Sequence, residues 1–357
     1  MSAQTRVAAC HVAAVFLSAR QTTAKAIDLI KEAAKNKANL VIFPETFISA
    51  FPIWSSLRPP TANHDLFKRM THESVYADGE EIQSIRATAK ELNIMVSIGL
   101  SEKVRSSSGT LYNSNILIGT EGEVLVHHRK LVPTFFEKLT WSPGDGHGLR
   151  VAETPYGKIG NLICGENTNP LARYTLMAQG EQIHISTWPP IWPTRVRPVS
   201  QENSTTEALQ KPDYDNVTAN RTRAAAHCFE AKCFGVLCSA VLGDDAIEAI
   251  SDGFPHLTQV LEEAQRGATQ FLDPTGAPLP GFIVDESQSY IATDFLQSAE
   301  GILYADINLE DCIEGKQYHD VVGGYQRLDV FNLKVDRTRR LPVRFTERED
   351  KLDIQEF

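Results

Sequence analysis

The rhythm of the chain limits its fold more than any single motif does. It opens in alternation, with an apolar run from Arg6 to Leu17, helical spacing of Ala26, Ile27, Ile30, Ala33 and Ala34 between Thr22 and Lys37, and a strand over Asn39 to Phe43. Glu81 to Leu92 repeats Ile82, Ile85, Ala89 and Leu92 on one helical face, and Ile94 to Leu100 reads as the next strand. The rhythm then changes to hairpins. Leu111 to Ile118 and Val124 to Leu131 are joined through Glu121-Gly122-Glu123, and Leu149 to Glu153 and Lys158 to Ile163 through Tyr156-Gly157. Alternation returns with a helix over Pro170 to Gln179, a strand over Gln182 to Trp188, a helix over Asn216 to Lys232 and a strand over Cys233 to Leu242. Gly301 to Ile307 is the last clear strand. An α/β chain with hairpins between two alternating halves predicts two sheets flanked by helices in one domain, not a simple doubly wound sheet. Thr46 to Asp78, punctuated by Pro52, Pro59 and Pro60, reads as an irregular excursion over the strand ends, and Ile191 to Asp215 as a long loop.

The 357 residues, 42% of them hydrophobic, are enough for a large core. A net charge of -10 is the wrong sign for a nucleic-acid surface, and His127-His128-Arg129-Lys130 is too short a basic cluster to make one. No apolar run approaches the roughly 20 residues of a membrane span, and Met1 to Val7 lacks a secretory core, so the expected place is the cytoplasm. Six cysteines are too few for a disulfide scaffold. Cys228 falls on a helix while Cys233 and Cys238, at odd spacing on a strand, face opposite sides, so no metal site is expected from them.

Chemistry concentrates at strand ends. Pro44-Glu45 closes the second strand and places a carboxylate where α/β sheets keep their reactive groups. Lys130 leaves the second arm of the first hairpin. Cys164 falls between the strand ending at Ile163 and the helix announced by Asn169-Pro170, with the backbone N–H groups of Gly165 and Glu166 beside it. A thiolate is a strong nucleophile, an ammonium beside it holds developing negative charge, and a semi-buried carboxylate moves protons.

Three local words carry these residues: Phe43-Pro44-Glu45-Thr46-Phe47, His128-Arg129-Lys130-Leu131 with Pro133-Thr134, and Cys164-Gly165-Glu166-Asn167 with Pro170-Leu171-Ala172-Arg173. In that order they resemble the nitrilase (carbon-nitrogen hydrolase) superfamily over roughly residues 5 to 335. The resemblance implies an α-β-β-α sandwich and a catalytic Glu45, Lys130 and Cys164, and it matches Glu137 to the family's additional glutamate. Within the superfamily, the Cys164 word, the stretch Trp141 to Gly146 and Gly324-Tyr325-Gln326-Arg327-Leu328-Asp329-Val330 resemble the nitrilase branch. Gly165 departs from the aromatic residue usual after that nucleophile, and Gly324-Tyr325 from a common His-Tyr pair.

The activity implied is hydrolysis of a small organic nitrile to the acid and ammonia, without cofactor or metal, through a thioimidate and a thioester on Cys164. Release of an amide, as by a cyanide hydratase, stays open, with an amidase more distant and a catalytically silent assembly protein the non-enzyme alternative. Gly165, Thr134, Trp188, Trp54, Tyr112 and Asn113 are expected to contribute to substrate binding, and His128 to serve as a structural hydrogen bonder. Phe51, Trp54 and Trp188 point to an aromatic or medium-sized aliphatic nitrile. The hydrolase domain is expected over residues 1 to 311, and an arginine-rich tail over 312 to 357 to pack on a neighbouring subunit. The resemblance also implies a homodimer that builds into a larger oligomer or spiral.

Overall fold

Strand β1 (Gln4–His11) sorts its apolar side chains by the two-residue period of an extended chain. Ala8 and Cys10 pack toward helices, whereas Val7 and Ala9 face a second sheet. The same division runs through β2 (Leu40–Ile42), where Val41 joins the helix layer while Leu40 and Ile42 join the layer between the sheets. A strand buried on both faces can dispense with polar alternation, which explains the near-continuous apolar runs.

The computed structural model describes residues 4–194 and 214–343. Helix α1 (Ala19–Lys35) is followed by β2, a short α2 (Trp54–Leu57), α3 (His64–Glu73), α4 (Glu80–Leu92), β3 (Met95–Lys103), β4 (Leu111–Ile118) and β5 (Val124–Arg129). Then come β6 (Ala152–Thr154), β7 (Gly157–Ile163), α5 (Pro170–Met177), β8 (Ile183–Trp188), α6 (Asn216–Ala231) and β9 (Phe234–Ser239). Helices α7 (Asp244–Ser251) and α8 (His256–Glu263) lead to β10 (Thr269–Leu272), β11 (Pro278–Leu279), β12 (Gly281–Val284), β13 (Tyr290–Thr293), β14 (Phe295–Leu296), β15 (Gly301–Asn308) and α9 (Asp311–Glu314).

One sheet has the order β13-β12-β15-β1-β2-β3-β4-β5 and the other β11-β10-β9-β8-β7-β6, with β14 beside β10. Helices α1 and α4 cover the first sheet through Ala26, Ile30, Ala33, Ile82, Ile85 and Ala89. Ala224 and Cys228 of α6 cover the second through Ile163 and Leu237. The layers are therefore α-β-β-α, as expected. Cys233 packs in the helix layer with Cys228, and Cys238 between the sheets, as their spacing required.

Strands β1, β2 and β3 run parallel, and two antiparallel steps through β4 return β5 to their direction. Strands β7, β8 and β9 are parallel in the other sheet. The residues after β2, β5, β7 and β8 thus leave the carboxyl ends of their strands, where a cavity can form.

Several sequence expectations need correction. The excursion over Thr46 to Asp78 contains α2 and α3. Their apolar residues, Trp54, Leu66, Phe67 and Met70, pack on an aromatic cluster outside the sheets, so proline punctuation concealed short helices with a real burial surface. The α7–α8 pair packs on the same cluster through Ile250, Leu257 and Leu261 and was not anticipated, nor was the β12–β13 hairpin. The strand expected to reach Leu242 ends at Ser239. Of the expected 191–215 loop, residues 195–213 lie outside the described residues, as does the tail beyond Val343. What is described of the tail partly folds back on its own chain: Arg339 donates to Asp145 Oδ1 at 3.2 Å and to the carbonyl of His127 at 2.9 Å.

Candidate active site

Glu45 follows β2 and is buried because β3 lets its backbone come close. A Cβ on Gly99 would lie 2.3 Å from the Pro44 carbonyl and 2.5 Å from the Thr46 nitrogen, so glycine is needed where the turn crosses β3. Lys130 follows β5, and its ammonium donates to Glu45 Oε1 at 2.9 Å and to Glu137 Oε1 and Oε2 at 2.8 and 2.7 Å. Glu137 sits in a 3-10 turn (Phe135–Leu139), where its Oε2 also accepts from the Thr134 backbone at 3.0 Å. Asn113 Nδ2 donates to Glu45 Oε1 at 2.7 Å. The sulfur of Cys164 and one oxygen each of Glu45 and Glu137 lie within 4.8 Å of one another. All four charged or nucleophilic groups are buried, and Glu45, Lys130 and Cys164 come together from three separate strand ends.

The turn at Cys164 is held rather than relaxed. Its φ of 51° lies in the left-handed region, which a cysteine adopts only when its surroundings impose it. Glu166 fixes one side, accepting from the backbone of Ile163 at 2.9 Å, from the backbone of Leu131, and from His128 Nε2 at 2.8 Å. Asn167 fixes the other, donating to the carbonyls of Cys164 at 3.0 Å and Leu162 at 3.2 Å. Its oxygen accepts from His184 Nε2 at 2.8 Å, and Glu181 bridges His184 and His227 at 2.8 and 2.6 Å. Burial pulls the Glu181 carboxyl upward, yet the two imidazoles hold it at about 2. Asn169 accepts from the Leu171 and Ala172 backbones, capping α5 with Pro170 in its first turn.

Charge balance decides the protonation of the cluster. Burial, with the Glu45 charge beside it, pushes the Cys164 thiol well up, against the pull of Lys130. Burial pushes Glu137 up to about 7 and also raises Glu45, the Lys130 charge opposing both. Burial pulls the Lys130 pKa down, but the negative charge that Cys164, Glu137 and Glu45 can carry around it raises it well above the ordinary value. A sealed cluster with one cation is balanced by one anion. Burial therefore favours the neutral thiol and works against ionising both carboxyls together beside the single ammonium. Glu45 Oε2 is buried and has no hydrogen-bond partner among the described residues, so it is the oxygen free to take a proton from sulfur or water.

A cleft above the sulfur is lined by Thr134, Cys164, Gly165, Trp188, Trp192 and Arg223, among others. The carbon-nitrogen hydrolase family profile matches residues 6–317. The chain belongs to the carbon-nitrogen hydrolase family. It is 31% identical over 97% of its length to a nitrilase of Penicillium rubens, covering 97% of that protein. It is 33% identical over 95% of its length to an arylacetonitrilase of Hypocrea virens, covering 94% of that protein. A carbon-nitrogen hydrolase structure from Helicobacter pylori superposes with a TM-score of 0.63 at 19% identity, covering 92% of this chain and 97% of that one, which speaks for the fold.

The hydrolase places its sequence-expected pocket residues unequally. Gly165, Thr134 and Trp188 line the cleft, and Asn113 reaches the cluster through Glu45. Tyr112 does not line it: one position from Asn113 on β4, it points to the opposite face and lies under the Arg129 guanidinium at 4.1 Å. Trp54 does not line it either, packing edge-on against Phe16 in the aromatic cluster at 5.8 Å. Phe51 stands in that same cluster against Trp141 and Trp192. His128 is the hydrogen bonder expected. Sequence reasoning missed Arg223, Asn220, Glu181, His184 and His227. The signal available for Arg223 was helical spacing: Asn216, Asn220 and Arg223 form a polar stripe on α6 where a covering helix ordinarily shows apolar residues.

Proposed function

We propose that this hydrolase converts an organic nitrile to its carboxylic acid and ammonia, with Cys164 as nucleophile, Glu45 as proton carrier, and Lys130 and Glu137 as the charge partners that make the exchange possible. The observation that carries this reading is the enclosed quartet: a cysteine sulfur beside one ammonium and two carboxyls, all of them buried. The relatives named nitrilase and arylacetonitrilase support the same reading.

Glu45 takes the thiol proton as sulfur bonds to the nitrile carbon, and the nitrogen takes a proton from the shared pool, giving a neutral thioimidate. A water loses its proton to Glu45 and adds to the same carbon. The tetrahedral species is stabilised by Lys130 and by the backbone N–H of Gly165. Proton transfer to nitrogen expels ammonia and leaves a thioester, and a second water releases the acid and restores the thiol. Each proton removed by Glu45 is returned to nitrogen or sulfur, so the quartet ends as it began. Expulsion of the thiol from the same tetrahedral species would give an amide instead, and product analysis separates the two outcomes.

The test is incubation with an arylacetonitrile, following acid, amide and ammonia together, for the native chain and for Cys164→Ala. Acid with equimolar ammonia from the native chain and none from the variant is expected; amide without ammonia, or a variant that keeps its rate, refutes the reading. The exposed Tyr325, Leu328, Val330 and Phe331 support the proposal that residues 312–357 form an assembly element outside a hydrolase domain of residues 1–311, with homodimers building a larger oligomer. The six free, buried cysteines support a cytoplasmic place. Among the described residues no helix is long and apolar enough to cross a membrane.

A further inference from the structure

The cleft over Cys164 contains a cation that the mechanism does not use. Arg223 lines it from α6, together with the aromatic walls Trp188, Trp192 and Tyr214 and the amides of Asn216 and Asn220. Its guanidinium is half-buried and donates to Asn220 Oδ1 at 3.3 Å and to the Tyr214 hydroxyl. It lies 5.7 Å from the Trp188 ring centre and 5.8 Å from that of Tyr214. None of these partners is an anion. Among the described residues, no carboxylate comes within ion-pairing distance of Arg223, although nearby Arg173 of α5 is paired with Glu230 of α6 at 2.9 Å.

A half-buried guanidinium lying against aromatic rings, with no carboxylate partner among the described residues, is well placed to receive an anion in the cleft. The carboxyls of the quartet, Glu45 and Glu137, are already bound by Lys130. We propose that Arg223 is a specificity residue that receives a carboxylate on the substrate, so that the preferred substrates are short nitriles bearing a carboxylate at the end remote from the cyano carbon. The aromatic walls accommodate the hydrocarbon between the two groups, and the two asparagine amides complete a polar end to the cleft. This rests on the nitrilase reading above and adds the substrate class to it.

The experiment compares cyanobutanoate with its neutral methyl ketone isostere, using ammonia and amide release by the native enzyme, Arg223→Gln and Arg223→Lys. Binding of both compounds to Cys164→Ala is measured by calorimetry as a readout independent of turnover. A charge-assisted contact in a partly buried cleft gives at least about a tenfold preference for the carboxylate, expressed in KM and in binding. Arg223→Gln should cut the ratio of the two kcat/KM values at least about tenfold, with Arg223→Lys recovering part of it. If Arg223 only tunes the thiol, or grips the newly formed acid, both nitriles change together and the ratio stays fixed, which overturns the proposal. Equal binding of the two compounds to Cys164→Ala overturns it as well. Discriminating binding without any ammonia or amide release would leave Arg223 as an anion receptor and remove the nitrilase reading instead.

Discussion

Replacing Glu137 by glutamine tests the shared-proton account directly, because the variant keeps the shape of the side chain while removing one of the two carboxyls. A carboxyl held at about 7 rather than the ordinary 4.5 is harder to ionise in the folded chain than in the unfolded one. Between those two values the folded state holds a proton that the unfolded state has lost, so native stability falls as pH rises through this window. Below 4.5 the group contributes nothing, and above about 7 the cost is complete. The separation corresponds to roughly 3 kcal/mol. For a chain of 357 residues that is roughly 4 °C in melting temperature. Glu137→Gln has a constant penalty of its own, since Lys130 loses a charged partner bound at 2.7 Å, but the pH-dependent part disappears. The variant should therefore gain on the native chain by roughly 4 °C between pH 4 and pH 8. Thermal unfolding of both proteins across that range provides the measurement, with kcat expected to drop by about 10²-fold or more in parallel. A melting difference that does not change with pH would refute the proton sharing, and with it the claim that the site stores the proton delivered to nitrogen.

Glu181→Gln should lower kcat while leaving Glu45 and Lys130 untouched, because it loosens the His184–Asn167 tie on the Cys164 turn; kinetics over a pH series measures this. Its effect on stability runs opposite to that of Glu137. A carboxyl held at about 2 contributes roughly 3 kcal/mol above its unfolded value, lost as pH falls through about 2, so the two proteins should converge in acid unfolding. Truncation after Asp336 removes the Arg339 and Arg340 contacts to Asp145 and should reduce particle size more than it reduces turnover. Sedimentation together with ammonia release checks this, and unchanged particle size would count against the tail as an assembly element.

The sequence by itself determined the layers and which groups are proposed to react. Apolar period within β1 and β2, the change from alternation to hairpins, and the Asn169-Pro170 helix start are local signals, and local backbone chemistry acts on them wherever the rest of the chain lies. The resemblance of three short words to a known family singled out Glu45, Lys130 and Cys164, and the same family likeness added Glu137. Tertiary structure decided everything that depends on which groups share a dry space. Trp54 and Tyr112 are attractive pocket residues on composition alone, but the packing of α2 and the alternation of β4 turn them elsewhere. Arg223 is one charge among many along the sequence, and only the laying of α6 over the second sheet brings it into the cleft above Cys164. Glu181, His184 and His227 look like scattered polar residues, yet β8 and α6 bring them into one buried chain of hydrogen bonds ending at the Cys164 carbonyl. The protonation of the quartet is likewise a tertiary property: desolvation by the surrounding fold moves a carboxyl to about 7, and no spacing along the chain encodes that.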